Sequence, residues 1–454
     1  MKKKLSIALA AAIVPAAIAP VVPLIEPAAV AQEAETSTAA PEEPGADTPA
    51  DPENEAGADA QAEATDEDAP HYPDPREEAP NTDNCPNATL PPEPVSTSER
   101  VAPGSPTPTP LPVEYDGPCG VIAPDGFKVS EKVLATSWLV ADPDTGDVIA
   151  MKDPHGRYRP ASIIKVLLAL IAIDELPLDK EVTVSEESAG QEGSAVGLGP
   201  NGKYSIDDLL HGLLMVSGND AAHALAQELG GDEETLRKVN EKAAELGMKD
   251  TRAASYSGLD GPGMSTSAWD MGVAYSEAYK NPKFSEIIST EIYPFPGYTA
   301  ADGEELPGFD VYNDNKLYLN DPDGIGGKTG YTDDAKHTFV GALDRDGRRL
   351  MAIVLDTTID KGRAWEQTQD LIHEAYKFSS DDAVASLIDD TANPSNTGTP
   401  ISDAPDSDGK SSENAKNGDP VPWEGIAVFS GVLALAGLAT WLSLASAKKR
   451  RQRR

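Results

Sequence analysis

The chain has 454 residues and a formal net charge of −39. Nucleic-acid phosphates and anionic membrane surfaces repel a chain this acidic, so we expect neither as a partner. Apart from two apolar stretches at the chain ends, apolar residues are frequent only between about residue 113 and residue 378, which predicts one sizeable domain with polar flanking segments.

The first 31 residues are typical of a secretory signal peptide. Lysines at positions 2–4 precede an apolar stretch, residues 5–19, and Ala29-Val30-Ala31 has the small-x-small form of a cleavage site. Residues 32–112 are rich in Ala, Glu, Asp, Pro and Thr, and this composition predicts an acidic, disordered segment. We therefore expect export, with a flexible region ahead of the domain.

The two cysteines, Cys85 and Cys119, form an even pair in a chain predicted to be exported. Such a pair predicts one disulfide, which would attach the end of the N-terminal segment to the domain. Two free thiols are the alternative interpretation. Neither cysteine lies near a motif, which argues against a catalytic use.

Residues 113–378 are predicted to form the folded domain. Alternating patterns between turn residues predict strands, and longer apolar periodicities predict helices. In chain order the predicted elements are strands at 135–141 and 147–151, helices at 162–175, 205–229 (broken near residue 217), 233–246 and 265–280, strands at 338–343 and 349–357, and a helix at 362–378. Helices between an early and a late hairpin predict an antiparallel sheet with helices packed on it.

The C-terminal end of the sequence predicts a membrane anchor. Residues 379–424 are acidic and polar, as in a flexible linker, and residues 425–447 are an uncharged run long enough to cross about 30 Å of hydrocarbon as a helix. Residues 448–454 form a basic tail of the kind that stays in the cytoplasm. We therefore predict one transmembrane helix with an extracytoplasmic domain. A sortase-type wall signal is the rival, but no LPxTG motif precedes the apolar run.

Motifs for several common chemistries are missing from the sequence. The chain has no GxSxG, HExxH, Walker or dinucleotide-binding motif, and its six histidines lack zinc-ligand spacing. We therefore predict no metal and no cofactor.

Three short motifs in a fixed order indicate nucleophilic serine chemistry. They are Ser162-Ile163-Ile164-Lys165, Ser217-Gly218-Asn219 and Lys328-Thr329-Gly330. Residues three apart on a helix share a face, so Lys165 can reach the Ser162 oxygen. A serine hydroxyl needs a base to become a nucleophile. Burial and the second cation, Lys328, both favour the neutral lysine amine that can act as that base.

The third motif predicts an edge strand beside a cleft. Gly326, Gly327 and Gly330 have no side chains, so the backbone of a ligand can approach closely. Thr329 and Thr332 supply hydroxyl groups and Lys328 supplies a positive charge. This combination suits a substrate with a free terminal carboxylate.

From about residue 135 to residue 378 the chain resembles the low-molecular-mass penicillin-binding proteins of the D-alanyl-D-alanine carboxypeptidase family. The likeness extends beyond the three motifs to the stretches at residues 153–161, 217–221, 246–249 and 323–324. It implies an α/β (α+β) fold of the β-lactamase and transpeptidase type: a central antiparallel sheet, helices on both faces and a helical subdomain.

The resemblance also implies a role for each matched residue. Ser162 would attack the D-Ala-D-Ala bond of a peptidoglycan stem peptide, Lys165 would take its proton, and Ser217 would help to protonate the leaving amine. The N–H groups of Ser162 and Tyr331 would form the oxyanion hole. Penicillins would acylate Ser162 in the same way. The implied substrate-binding residues are Asn219, Lys328, Thr329, Gly330, Tyr331, Thr332 and Arg363, the last holding the substrate carboxylate.

Two departures from the family pattern stand out. Asp314 occupies a position where family members often carry an arginine, which puts a second carboxylate anchor in doubt. The common C-terminal β-domain and amphipathic anchor are replaced by the acidic linker and the predicted transmembrane helix.

Three other functions fit parts of the same sequence. A class A β-lactamase needs a deacylating glutamate in an ExxLN-like loop, and the nearest candidate, at residues 233–237, lacks the asparagine. A transpeptidase or endopeptidase would use the same acyl-enzyme with another acceptor. A non-catalytic wall-associated scaffold would suit the tethers, but the intact Ser162, Lys165 and Lys328 argue against it.

Overall fold

The computed structural model describes residues 75–388. Over that range the chain forms thirteen strands and nine α-helices. The strands are β1 Val121–Ile122, β2 Ser137–Ala141, β3 Asp147–Lys152, β4 Glu181–Thr183, β5 Lys203–Ser205, β6 Ile292–Phe295, β7 Tyr298–Thr299, β8 Glu305–Leu306, β9 Phe309–Tyr312, β10 Gly324–Thr332, β11 Lys336–Arg345, β12 Arg348–Thr357 and β13 Ala385–Ser386. The helices are α1 Lys165–Glu175, α2 Glu186–Ala189, α3 Ile206–Met215, α4 Asn219–Glu228, α5 Asp232–Glu245, α6 Ala268–Lys280, α7 Pro282–Ile288, α8 Lys316–Asn320 and α9 Ala364–Ala375.

Seven strands form a central antiparallel sheet. Their order is β1-β3-β2-β12-β11-β10, and β13 also pairs with β3, so β10 lies at one edge. The β11–β12 hairpin turns through Asp346 and Gly347, whose φ angles are +55° and +86°. Two consecutive positive φ angles match the right-handed twist of the flanking strands, and the predicted hairpin is confirmed.

Helices cover both faces of this sheet because alternate strand residues are apolar on both sides. In β2, Leu139 joins the core cluster that contains the buried side chains of α1, α3 and α6. Its neighbours Trp138 and Val140 join a second cluster with α9 on the opposite face. The predicted antiparallel sheet with helices on both faces is thereby confirmed.

The predicted helix at 162–175 starts later than expected. The α-helix begins at Lys165, and Ser162 lies in a short 3-10 helix, Ala161–Ile164. Ala161 is fully buried and has a φ of +47°, a left-handed conformation that no α-helix can continue. The nucleophile candidate therefore lies on a strained turn ahead of the helix.

The predicted disordered segment, residues 32–112, extends too far into the domain. From residue 75 onward the chain lies on the domain surface, and Cys85 and Cys119 form the predicted disulfide, with Cα atoms 5.3 Å apart. Composition misled here because polar side chains of the domain, rather than apolar burial, hold this segment. Arg157, for example, donates to the carbonyl oxygens of Thr89 (2.9 Å) and Leu111 (2.7 Å).

The predicted end of the domain at residue 378 also needs correction, because β13 pairs with β3 and extends the sheet. The remainder of the predicted linker 379–424, the signal peptide 1–31, the apolar run 425–447 and the tail 448–454 lie outside the described residues. Between residues 75 and 388, every helix is too short or too polar to cross a membrane.

Candidate active site

The turn that carries Ser162 is held from two sides. The Thr338 hydroxyl on β11 donates to the Pro160 carbonyl at 2.8 Å. Gly258 packs so closely that a Cβ atom there would lie 2.1 Å from the Ala161 carbonyl oxygen. A left-handed alanine is unfavourable, so such surroundings are needed to keep it. Ser162 is therefore presented on a rigid, partly exposed turn above the apolar helix α1.

Lys165 is fully buried, and its amine meets three oxygen atoms. Lys165 Nζ lies 2.8 Å from Ser162 Oγ, 2.8 Å from Asn219 Oδ1 and 2.5 Å from the Ser257 carbonyl oxygen. A neutral amine has two N–H groups and one lone pair. It can donate to Asn219 and Ser257 and still accept the Ser162 proton, which is the arrangement a general base requires.

Electrostatics favour the neutral form of Lys165. Burial lowers the pKa of this amine well below its usual value, and the nearby cation of Lys328 lowers the pKa further. The carboxylates of Asp220 and Asp314 oppose that shift without cancelling it. The pKa direction predicted from the sequence thus agrees with the environment in the structure.

The second motif forms the junction between α3 and α4. Ser217 has a φ of +65°, which breaks the helix, and both Ser217 and Asn219 are buried. The Asn219 side chain donates to the Glu192 carbonyl at 2.6 Å and accepts from Lys165, so its amide orientation is fixed. Within the described residues the Ser217 hydroxyl has no hydrogen-bond partner, and its role in proton transfer remains a prediction.

The third motif runs along the edge strand β10 beside the nucleophile. A Cβ atom on Gly330 would lie 3.0 Å from the Ser162 nitrogen, so only a bare backbone fits here. Lys328 is fully buried, and burial lowers its pKa, while Asp314 acts in the opposite direction. The structure therefore brings Lys328 and Gly330 to Ser162 and Lys165, as the motif order indicated.

Asp314 has a larger part in the site than the sequence indicated. Its Oδ2 accepts a hydrogen bond from the Thr329 hydroxyl at 2.8 Å, and its backbone nitrogen donates to the Met215 carbonyl at 2.9 Å. Its Oδ1 is buried and has no hydrogen-bond partner among residues 75–388. This carboxylate cannot anchor a second carboxylate. It instead acts on both cleft lysines, opposing the fall in the pKa of Lys328 and the fall in the pKa of Lys165.

Two of the remaining predicted site residues, Tyr331 and Thr332, lie at the C-terminal end of β10. Tyr331 is 57% exposed and its ring centroid is 4.7 Å from that of His337, the opposite residue on β11. Burial and the charge of Arg363 lower the pKa of His337, and the exposed Arg363 is the N-cap residue of α9. The Thr332 hydroxyl accepts from Ala335 N at 2.9 Å within the β10–β11 turn.

Two supporting residues were not predicted. The Ser257 carbonyl accepts from Lys165, and no side-chain pattern could have indicated a main-chain acceptor. Asp220 follows Asn219 directly, and its carboxylate accepts from the backbone nitrogens of residues 196–198 at 2.9–3.0 Å. It holds the loop that borders the cleft. Within the described part of the chain, no three His, Cys, Asp or Glu side chains are grouped as metal ligands.

Comparison with known proteins places this site in a family. The family model described as D-alanyl-D-alanine carboxypeptidase matches residues 126–358, which include all three motifs. The chain belongs to this family. It is a serine-type hydrolase of the D-alanyl-D-alanine carboxypeptidase family, and the resemblance inferred from the motifs is confirmed.

Individual family members extend over most of the described domain. D-alanyl-D-alanine carboxypeptidase DacB2 of Mycobacterium tuberculosis is 42% identical over 257 residues, which are 56% of this chain and 86% of that protein. D-alanyl-D-alanine carboxypeptidase DacF of Bacillus subtilis is 31% identical over 252 residues, 54% of this chain and 63% of that protein.

Solved structures of the family share the fold. A D-alanyl-D-alanine carboxypeptidase from Mycobacterium tuberculosis has a TM-score of 0.54 and 38% identity, with 58% of this chain and 99% of that chain covered. A Streptomyces DD-transpeptidase has a TM-score of 0.51 and 25% identity, with 54% and 97% covered. The fold class is therefore that of the penicillin-binding transpeptidases.

Lys328→Met should move the acidic limb of the acylation pH profile toward higher pH. Removing the Lys328 cation takes away one of the two causes that lower the pKa of Lys165, so the base becomes protonated at higher pH. The measurement is the rate constant for labelling by a fluorescent penicillin, followed as a function of pH. Lys316→Met, at the exposed start of α8, is the control and should leave the limb in place. An unshifted limb in Lys328→Met would show that Lys328 does not tune the base.

Proposed function

We propose that this enzyme removes the terminal D-Ala from peptidoglycan pentapeptides through an acyl-enzyme on Ser162. The observation that carries the proposal is the buried Lys165 amine, 2.8 Å from Ser162 Oγ, with its two N–H groups taken up by Asn219 and Ser257. In the neutral amine, the one remaining lone pair can accept the proton that the Ser162 hydroxyl must lose.

The proposed reaction has two stages. Ser162 Oγ attacks the carbonyl carbon of the penultimate D-Ala while its proton passes to Lys165. The C–N bond then breaks, and the leaving D-Ala amine takes up a proton, with Ser217 as the proposed relay. In the second stage water attacks the ester, and Ser162 recovers its proton. The N–H groups of Ser162 and Tyr331 are the proposed oxyanion donors, each worth about 3–4 kcal/mol of transition-state stabilisation.

Penicillins are proposed to acylate the same serine and to form an ester that water hydrolyses only slowly. A class A β-lactamase would place a deacylating glutamate beside the ester, and the candidates Glu233 and Glu234 do not fit that role. Glu233 is exposed on α5, and the half-buried Glu234 forms an ion pair with Arg237 on the same helix. This arrangement favours the carboxypeptidase over the β-lactamase.

The test uses the exported part of the chain and two peptides that differ only in their last residue. The protein is incubated with a fluorescent penicillin, and separately with a peptide ending in D-Ala-D-Ala or in D-Ala-L-Ala. We expect stable labelling and release of D-Ala from the first peptide alone. Labelling without release would favour transpeptidation or endopeptidase cleavage, which an added amine acceptor would reveal. If the domain is folded but not labelled at all, the non-catalytic scaffold would be the favoured interpretation.

Arg363 is proposed to bind the terminal carboxylate of the substrate, since it is exposed and its charge acts on His337, which pairs with Tyr331 across β10 and β11. Arg363→Gln should raise KM for the D-Ala-D-Ala peptide by about 10- to 100-fold, the value of a hydrogen bond to a charged group, with a smaller change in kcat. Arg237→Gln, on the exposed side of α5, is the matched control. An unchanged KM in Arg363→Gln would assign the carboxylate to other residues.

The membrane arrangement is also proposed. We infer that residues 1–31 direct export, residues 425–447 span the membrane, and residues 448–454 stay in the cytoplasm, with the catalytic domain outside. The uncharged run and the basic tail support this orientation. The test compares the full chain with a chain that ends at residue 424. The full chain should be in the membrane fraction and cut by protease added outside the cell, and the shorter chain should be secreted. A secreted full chain would rule the anchor out.

A further inference from the structure

Residues 76–119 form a strap that crosses the domain and ends at the Cys85–Cys119 disulfide. The strap contains no strand or helix, and it precedes the residues matched by the family model, which start at 126. Its attachments are polar. At its start, Arg76 donates to the carbonyl oxygens of Leu134 (2.8 Å) and Asp356 (2.6 Å).

One group of attachments holds the segment that leads into Ser162. Arg157 and Arg159 are 1% and 2% exposed, and both are directed at the strap. Arg157 donates to the carbonyl of Pro112 at 2.6 Å in addition to those of Thr89 and Leu111. Arg159 donates to the Pro92 carbonyl at 2.7 Å and forms an ion pair with Glu99. Two buried cations, three and five residues before the nucleophile, therefore donate most of their hydrogen bonds to strap oxygens, with Asp250 as the one other partner of Arg157.

A second group holds the turn that follows β10. The Asp334 carboxylate, in a residue that is 6% exposed, accepts from Val95 N at 2.7 Å, Ser96 N at 2.8 Å, and the hydroxyls of Ser96 and Ser98, each at 2.7 Å. Burial alone would raise the pKa of Asp334, but these hydrogen bonds outweigh burial and lower it. The carboxylate is thus ionised and fully engaged with the strap at neutral pH.

The two groups meet within five consecutive strap residues, 95–99, which contact Asp334 at one end and Arg159 at the other. Those two contacts hold two backbone segments: the one that leads into the Ser162 turn and the one that follows β10. Arg159 precedes the strained turn at Ala161, and Asp334 follows Tyr331 in the turn after β10. The proposed oxyanion donors, Ser162 N–H and Tyr331 N–H, lie on these same two segments.

We propose that the strap is a positioning element for catalysis, which fixes the separation between the Ser162 turn and β10 through Arg159 and Asp334. This inference rests on the acyl-enzyme function proposed above. A misplacement of about 1 Å in a reacting group can lower a rate by about 100-fold. Loss of the strap contacts should therefore act on the acylation step more than on substrate binding.

The test loosens the strap where it meets β10 and, separately, far from it. Ser96→Ala/Ser98→Ala removes two of the four hydrogen bonds to Asp334, and Asp334→Asn removes the charge. We expect each to lower kcat and the acylation rate constant by roughly 10-fold, with KM within about twofold. Ser96→Thr/Ser98→Thr keeps both hydroxyls and should restore the rate. Arg76→Ala weakens the strap at its start and should lower Tm without lowering kcat.

The outcomes separate a failure of the positioning role from a failure of the proposed acyl-enzyme function. Wild-type acylation in Ser96→Ala/Ser98→Ala and in Asp334→Asn would overturn the positioning role. So would a loss of rate in Arg76→Ala that matches the loss in those variants, because the effect would then follow stability. If the wild-type protein itself is not labelled by penicillin, the proposed function fails first.

Discussion

Replacing Ser162 by alanine should abolish both covalent labelling by penicillin and release of D-Ala, with a loss of about 10⁴-fold or more. Lys165 would keep its other two oxygen partners, Asn219 and Ser257, but no hydroxyl would remain to form the ester. The fold should survive because Ser162 is partly exposed and its hydroxyl contributes little to stability. We expect a Tm within a few degrees of the wild type, measured by calorimetry beside the labelling assay.

A matched control is Ser289→Ala, which removes an exposed serine at the end of α7 and should leave both activities intact. If Ser162→Ala were still labelled, the nucleophile would have to be another hydroxyl group. The buried Ser217 would then be the first candidate, since its hydroxyl has no hydrogen-bond partner in the described part of the chain.

Lys165→Arg should slow acylation by about 10²- to 10⁴-fold, the range that a general base contributes. A guanidinium stays protonated at every accessible pH, so it offers no lone pair to the Ser162 proton. Lys165→Met should be as slow, although its side chain has a similar length and no charge. The measurement is the labelling rate constant at saturating penicillin. Acylation at the wild-type rate in Lys165→Arg would show that Lys165 is not the base.

The variant Lys165→Met also gives a prediction for stability. Burial lowers the pKa of Lys165 in the folded state, so the unfolded chain binds more protons than the folded chain over the range between the two pKa values. The free energy of unfolding of the wild type therefore rises with pH across that range. Lys165→Met removes this dependence. The free energy of unfolding of Lys165→Met, relative to that of the wild type, should therefore be highest at low pH and decline as pH increases. Denaturation at several pH values would measure it.

The sequence predicted those parts of the structure that depend on local patterns. The β11–β12 hairpin follows from Asp346-Gly347, and the helix predicted to start at residue 205 does begin there, as α3, with Ser205 and Asp208 forming a capping box. The SxxK spacing correctly brought Lys165 to the Ser162 oxygen, even though the α-helix begins only at Lys165. Spacing was sufficient because a 3-10 turn also places residues three apart on one side.

What the sequence did not predict depends on contacts between distant parts of the chain. Arg76 and Asp356 form a hydrogen bond although they are 280 positions apart, and no local pattern in a polar, proline-rich segment predicts such a contact. Asp314 looked like a missing anchor until the structure placed it against Thr329. The left-handed Ala161 was also unexpected, since alanine is among the strongest helix formers and only its surroundings impose that conformation.

The position of β10 at the edge of the sheet has a consequence for selectivity. Within the described residues β10 pairs with β11 on one side only, so its other side offers main-chain N–H and C=O groups to an added strand. A peptide bound in this way is recognised by its backbone path and by the handedness of its α-carbons, since these decide whether successive side chains avoid the strand. Residues further from the cleaved bond should then tolerate wide variation in side-chain chemistry, while inversion of a single stereocentre beside that bond should not be tolerated.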